Sequence, residues 1–168
     1  MKKNLPILAL VVLFALSPAL SARAIEPRFD KITSENGLSQ SEVYSFLRDG
    51  EGFMWFGTVH GLNRYDGYGI TQYNIDRNQP NSLTNNTIRA LIEDRSGRMW
   101  IGTDDGLNVL DYGRDSGFRL VKIPSRAVPT SISSLLIDGD ILWIGTNDGL
   151  FRALQDHLQH EHRRGRTV

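Results

Sequence analysis

The chain has no cysteine. This excludes disulfides, cysteine-ligated metal and thiol catalysis, so packing alone must hold the fold. It also lacks an excess of either charge, with 19 Lys and Arg against 19 Asp and Glu. The apolar run Leu5 to Leu16 is shorter than the ~20 residues of a spanning helix. It follows Lys2 and Lys3 and precedes Ala22-Arg23-Ala24, the pattern of a secretory signal cleaved after Ala24. Cleavage there removes three cations and no acid, leaving a formal charge of −3. That is too mild to point to nucleic acid or a membrane surface. The expected location is the periplasm or outside the cell, with membrane contact only through an uncleaved signal or a missing downstream part. No Ser-His-Asp order, phosphate loop or paired-Glu arrangement is present. No Asp-x-Asp-x-Asp loop closed by Glu offers a calcium site. The sequence therefore predicts no catalytic residue, no cofactor and no metal.

Tryptophan is scarce but periodic. The three tryptophans, Trp55, Trp100 and Trp143, stand 45 and 43 residues apart. Around them recur GFMWFGTVHGLNRYDG (52–67), RMWIGTDDGLNVLD (98–111) and ILWIGTNDGLFRA (141–153). A fixed period of this size marks a repeat architecture. Each copy opens with an apolar run: Val43 to Leu47, Ile88 to Ile92, Ile132 to Leu136. A turn follows, Asp49-Gly50-Glu51-Gly52 or Asp94-Arg95-Ser96-Gly97, with Asp and Gly placed as a type I turn wants them. The third copy, Asp138-Gly139-Asp140, is one residue shorter. Then come the Trp strand, a turn closed by Gly61, Gly106 or Gly149, a Leu-led strand and a fourth apolar segment such as Ile70 to Ile75. Four short strands per unit cannot bury both faces alone and must stack on neighbours.

The predicted fold is all-β: about three blades of four antiparallel strands in an incomplete, open β-propeller with almost no helix before residue 153. The blades are expected at 33–76, 77–123 and, partially, 130–152, within a repeat region spanning 25–152. Residues 28–32 are read as a lone closing outer strand, and 153–168 as an irregular basic tail. Trp55, Gly57, Gly61, Trp100, Gly102, Gly106, Trp143, Gly145 and Gly149 form the expected repeat core. The tryptophans should occupy equivalent buried places, and the neighbouring glycines should admit a close approach. The small residues Ser45, Ala90 and Ser134 suit a crowded region near the propeller axis. The outward faces of the first and third blades should expose apolar area, which implies self-association or low stability.

Candidate binding residues lie on the loops expected to share one propeller face: Asn36, Gln40, His60, Arg77, Asn85, Asn86, Asp104, Asp105, Asn147 and Asp148. Asp76, Asn78, Gln79 and Asn81 belong to the same connectors. Such amides and carboxylates can hydrogen-bond a small polar ligand such as an oligosaccharide, although tight turns favour the same residues. His157, His160 and His162 in the tail could hold a transition metal; beside Arg163, Arg164 and Arg166 they read first as an unstructured basic segment.

The unit [VI]-x-x-x-[LI]-x-D-x-x-G-x-x-W-x-G-T-x-x-G-L-x-x-x-D resembles the two-component regulator propeller repeat. The start RFDKITSENGLSQSEVYSF also looks like the beginning of such sensor regions. The resemblance covers about residues 28–152. It implies the periplasmic ligand-sensing or interaction module of a bacterial two-component or diguanylate-cyclase signalling protein. In that family a β-sandwich, a membrane helix and a kinase or cyclase domain follow the propeller, and this sequence ends before them. The alternatives are a secreted propeller enzyme resembling the streptogramin-lyase type and a propeller fragment without activity.

Overall fold

The structure, a computed structural model, describes residues 27–111 and 117–158. The signal sequence and the tail residues His160, His162, Arg163, Arg164 and Arg166 lie outside the described residues. Two compact units divide the chain, Met1–Lys31 and Ile32–Val168. The described part of the first is irregular, with an exposed Arg28–Asp30 pair at 3.6 Å.

Nearly all regular structure in the second unit is β. The exception within 32–154 is a 3-10 turn, Ser34–Asn36, capped by Thr33. Strands β1 (Ser45–Arg48), β2 (Met54–Thr58), β3 (Gly61–Tyr65) and β4 (Ile70–Tyr73) form the first sheet in chain order. Strands β5 (Ile88–Glu93), β6 (Met99–Thr103), β7 (Gly106–Asp111) and β8 (Gly117–Val121) form the second. The third holds β9 (Ile132–Asp138), β10 (Ile141–Thr146) and β11 (Gly149–Leu154). Every pairing is antiparallel, and no sheet closes on itself. The expected open arc of propeller blades is what forms.

Residues 28–32 form no strand. The expected outer strand has no partner blade among the described residues, and an extended segment without a ladder leaves its backbone groups to water. The third sheet also runs two residues further than the repeat pattern suggested, to Leu154.

Registers are equivalent across repeats. Trp55 pairs with Leu47 and Arg64, Trp100 with Ile92 and Val109, and Trp143 with Leu136 and Arg152. The Trp-x-Gly-Thr segment turns through a two-residue hairpin in each copy. The threonine hydroxyl donates to the carbonyl of Gly61, Gly106 or Gly149 at 2.8–3.0 Å. It also accepts the N–H of His60, Asp105 or Asp148 at 3.0–3.1 Å. Each closing glycine has positive φ, 101–121°, which side-chain-bearing residues rarely adopt.

Two apolar seams join the sheets. One packs Trp55 and Leu62 of the first sheet against Ile88, Met99, Ile101, Leu110 and Phe118 of the second. The other packs Trp100, Leu107, Val109 and Val121 of the second against Ile132, Leu142 and Ile144 of the third. Gly57 and Gly102 explain how close the sheets come. A Cβ on either would stand 2.7 Å from Cγ2 of Ile88 or Ile132 respectively. Ser45 pairs with Gly57 and Ala90 with Gly102, so a small residue beside glycine makes a socket for the next sheet's isoleucine. The small residue is thus explained by this socket, without appeal to crowding at an axis.

The tryptophans do not end equally buried. Trp55 and Trp100 are fully buried, whereas Trp143 is half-buried. Leu62 and Leu107 are fully buried, but their counterpart Leu150 is 67% exposed. The registers match, so the difference comes from cover: among the described residues no further sheet packs over the third.

The turn before each tryptophan has a second role in the first two repeats. Asp49 accepts the Trp55 indole N–H at 2.7 Å, and Asp94 accepts that of Trp100 at 2.9 Å. Asp94 also accepts from Arg98 Nε at 2.6 Å, Ser96 Oγ at 2.6 Å and two backbone N–H groups. Burial pushes the Asp94 carboxyl up, but the donors of Ser96, Trp100 and Arg98 outweigh burial and hold it below the usual carboxylate range. In the third repeat the shortened turn leaves Asp138 exposed.

Two stability predictions follow from these contacts. Asp94→Ala strands the buried Arg98 and the Trp100 N–H and should cost about 3–5 kcal/mol. Asp138→Ala should stay within about 0.5 kcal/mol. Because the folded-state pKa of Asp94 is depressed, its contribution is present above an unfolded value of about 3.9 and lost as pH falls through the folded value. Urea melts of both variants between neutral and acid pH check the energies and the sign.

Gly102→Ala should cost about 1–3 kcal/mol by overpacking against Ile132. Gly145→Ala should cost less, since the nearest obstruction there is the Ser134 hydroxyl, which can rotate. Chemical denaturation of the pair decides this.

Candidate functional site

The ten rim residues divide by what their side chains hold. Asn36 Oδ1 accepts the Thr33 N–H at 2.9 Å and closes a capping box. Gln40 Oε1 accepts from the Glu42 N–H. Asn85 Oδ1 accepts from Thr87 N–H and Asn86 Oδ1 from Ile75 N–H, both at 2.7 Å. Asn147 Oδ1 accepts the Ser131 N–H, and its amide donates to the Pro129 carbonyl, each at 3.1 Å. Asp148 accepts from Arg126 N–H at 2.6 Å and Ser125 Oγ at 3.0 Å, donors that hold its carboxyl below the usual range. Asp104 takes a bidentate Arg89 at 2.6 and 2.9 Å and the Ser131 hydroxyl at 3.0 Å. Arg89 holds the Asp104 carboxyl low, and Asp104 in turn raises Arg89. Asp104, Asn147 and Asp148 thus tie a hairpin tip to another segment, whereas Asn36, Gln40, Asn85 and Asn86 bond within their own loops. His60, Arg77 and Asp105 are exposed, and their side chains make no hydrogen bond among the described residues.

Buried amides hold the loops from beneath. The Asn63 side chain accepts the Ser39 N–H and donates to the Ser39 hydroxyl, both at 2.8 Å. Asn108 does the same to Thr84, at 3.3 and 2.7 Å. Backbone bonds then carry each hairpin tip onto the next sheet's entry loop: Gly61 N–H to the Asn86 carbonyl and Gly106 N–H to the Thr130 carbonyl, both at 2.8 Å.

A concave feature lies at the outer edge between the first and second sheets. It is a groove of about 890 Å³. Tyr73, half-buried, is its aromatic wall, stacked on the buried Trp55 (5.6 Å) and edge-on to the buried Phe118 (5.5 Å). Amides of Gln72, Asn74, Asn78, Gln79 and Asn81 line it, together with Asp76. Arg64 enters the same groove, its guanidinium 4.7 Å from the Phe53 ring centre and 5.9 Å from that of Trp55. The buried Arg64 Nε has no hydrogen-bond partner. Of the connector residues named from sequence, Asp76, Asn78, Gln79 and Asn81 gather here. Arg64, Gln72, Asn74 and the aromatic pair were missed. The available signal was Arg64, which stands where the second repeat has Val109.

The described residues contain no cluster of three metal-ligating side chains. Nor do they contain a helix long and apolar enough to cross a membrane. His157 lies in a short turn after β11. Among groups whose acidity shifts, Glu93 is pushed up by burial; it accepts the Gly50 N–H at 2.8 Å and so bridges the second sheet to the first.

Stacked four-stranded antiparallel units with a tryptophan hydrogen-bonded to its own turn define the class: an arc of β-propeller blades. Residues 37–60 and 82–105 match the two component regulator propeller model. A histidine kinase P4 from Formosa agariphila is 33% identical over 78 residues, 46% of this chain and 6% of that protein. Among solved structures, an extracellular domain from B. thetaiotaomicron, BT4673, named as a hybrid two component system, is 30% identical. It covers 80% of this chain and 17% of its own, with a TM-score of 0.60. The extracellular domain of BT3049 from the same organism is 23% identical, covering 76% and 20%, with a TM-score of 0.62; it shares the fold. The chain thus spans a small part of the proteins it matches.

The division of rim side chains gives a test by substitution. Asn147→Ala removes two loop ties and should cost about 1 kcal/mol. His60→Ala and Asp105→Ala should stay within about 0.5 kcal/mol. Thermal melts of the three variants measure the difference.

Proposed function

We propose that this chain is a ligand-engaging propeller segment of the extracellular sensor region of a bacterial two-component signalling protein, delivered to the periplasm or cell exterior by residues 1–24. Its work is binding, and it needs no cofactor. The reading draws on the family and on relatives named as a histidine kinase and as extracellular domains of two component systems. The observation that carries the ligand part is the groove between the first two sheets. The Tyr73 ring, a rank of amides and one arginine suit a polar molecule with a flat apolar face, as an oligosaccharide has. The Arg64 guanidinium in the groove lining favours a ligand that carries a carboxylate.

Calorimetric titration of the chain with a neutral oligosaccharide, maltohexaose, and an acidic one, an oligogalacturonate, tests this. Binding of the acidic chain, weakened at least tenfold by Arg64→Met, is the expected result; tenfold corresponds to about 1.4 kcal/mol. Absence of heat with both, or binding indifferent to Arg64→Met, would remove the groove from the argument.

A further inference from the structure

A second groove, of about 550 Å³, opens at the joint between the second and third sheets. Asp105 and Gly106 at the hairpin tip of β6 and β7 line it, with Leu120 of β8, Lys122 and Ile123 just beyond that strand, and Thr130 of the third sheet's entry loop. It shares no lining residue with the groove around Arg64. Its volume falls inside the roughly 300–1,000 Å³ of small-molecule sites.

The first repeat fills the corresponding corner with its own side chains. Asn74 stands where the second repeat has Lys122, Ile75 where it has Ile123, and Asn86 where it has Thr130. Asn74 lies against the hairpin tip: a Cβ on Gly61 would stand 2.1 Å from its Oδ1. Asn86 Oδ1 accepts the Ile75 N–H at 2.7 Å. Neither contact recurs in the second repeat. Over Gly106 the one atom within 4 Å of such a Cβ is Leu120 Cδ1, at 2.9 Å. Thr130 donates its hydroxyl to the Ala127 carbonyl at 2.8 Å, and the Ile123 N–H makes no hydrogen bond among the described residues.

Two further exchanges set what the open corner offers. Asp105 replaces His60, and Leu120 replaces Gln72. The Asp105 carboxylate and the Lys122 ammonium are exposed and make no hydrogen bond or ion pair among the described residues. Leu120 is 48% exposed although it lines a concave surface. One groove therefore presents an ammonium beside a free backbone N–H, a carboxylate and an apolar wall.

We propose that this groove binds a short apolar peptide as a zwitterion. The peptide's terminal carboxylate takes the Lys122 ammonium and the Ile123 N–H, its terminal ammonium takes Asp105, and an apolar side chain covers Leu120. The argument for this occupant is charge complementarity. A neutral sugar would leave both charges unmatched, and a ligand of one sign would meet its like.

Calorimetric titration of the chain with leucyl-leucine tests this, beside N-acetyl-leucyl-leucine, which lacks the ammonium, and leucyl-leucinamide, which lacks the carboxylate. Leucyl-leucine is expected to bind, and each capped form to bind about tenfold or more weakly, the loss of one charge-assisted contact. Lys122→Gln should weaken leucyl-leucine by the same factor and leave the amide unaffected. Asp105→Asn should weaken it likewise and leave the acetylated form unaffected. Both residues are exposed, and far-UV circular dichroism verifies that the variants keep their β signal. Should one of them unfold, the capped peptides on the unaltered chain decide alone. Arg64→Met should leave leucyl-leucine binding unchanged, which separates this test from that of the first groove. No saturable heat with leucyl-leucine, capped forms that bind as well as the free peptide, or binding indifferent to Lys122→Gln or Asp105→Asn would each overturn the proposal. Loss of binding with Arg64→Met would assign the peptide to the first groove and overturn it equally.

Discussion

The blade depends on a buried carboxylate that accepts a hydrogen bond from an indole. A tryptophan between two sheets supplies much apolar area, yet its N–H needs an acceptor when water is excluded. In the first two repeats the acceptor comes from the aspartate that opens the preceding turn, six residues earlier. One bond therefore fixes the turn and the ring together. Burying the carboxylate is costly, and at Asp94 five donors offset that cost. The ring so placed becomes the wall against which the next sheet's isoleucine and its neighbours pack. The third repeat goes without this arrangement: its turn is a residue shorter and its aspartate faces water, while its tryptophan is half-buried because no further described sheet covers it.

What could be read from sequence and what could not follow the same division. Tryptophan spacing, Asp-to-Gly turns and the Thr-x-x-Gly hairpins are local signals repeated three times, so they located the strands. The glycine beside each tryptophan announced a close approach, although only the folded chain identifies Ile88 and Ile132 as what approaches. The strand expected at 28–32 failed because a strand is a property of a pair, and sequence gave no view of the missing partner. The indole-to-aspartate bond was hidden because the turn alone already accounts for an aspartate there.

The rim illustrates a further limit. Asn and Asp on loops suit ligand contact and turn construction equally, and composition cannot separate the two. In the folded chain seven of the ten candidates are occupied with hydrogen bonds, four within their own loops and three to another segment. Among them, Asn147 bridges Pro129 and Ser131, and Asp104 joins Arg89 to Ser131. The polar residues that do gather around open space come from the connector 76–82 and from the faces of β3 and β4, joined by an aromatic contact that crosses from one sheet to the next. Such a site is assembled across the repeat boundary, and a reading made one repeat at a time does not see it.

Repetition itself separates architecture from function in a molecule of this kind. A position that keeps its chemistry in all copies, as Thr58, Thr103 and Thr146 do, serves the blade, because every blade needs the same hairpin. A position that changes between internal joints is released from that duty. Arg64 against Val109 is such a change: both neighbour a tryptophan, but valine completes an apolar seam while arginine brings a charged group into a groove. Phe151, in place of Asn63 and Asn108, is another; it gives up the latch onto an entry loop and joins the apolar seam instead. The first exchange adds polar capacity at the joint between the first and second sheets. The second adds apolar area at the joint between the second and third. Adjacent joints of one arc are thereby built in opposite directions, one around a polar-lined groove and the other around a continuous apolar seam.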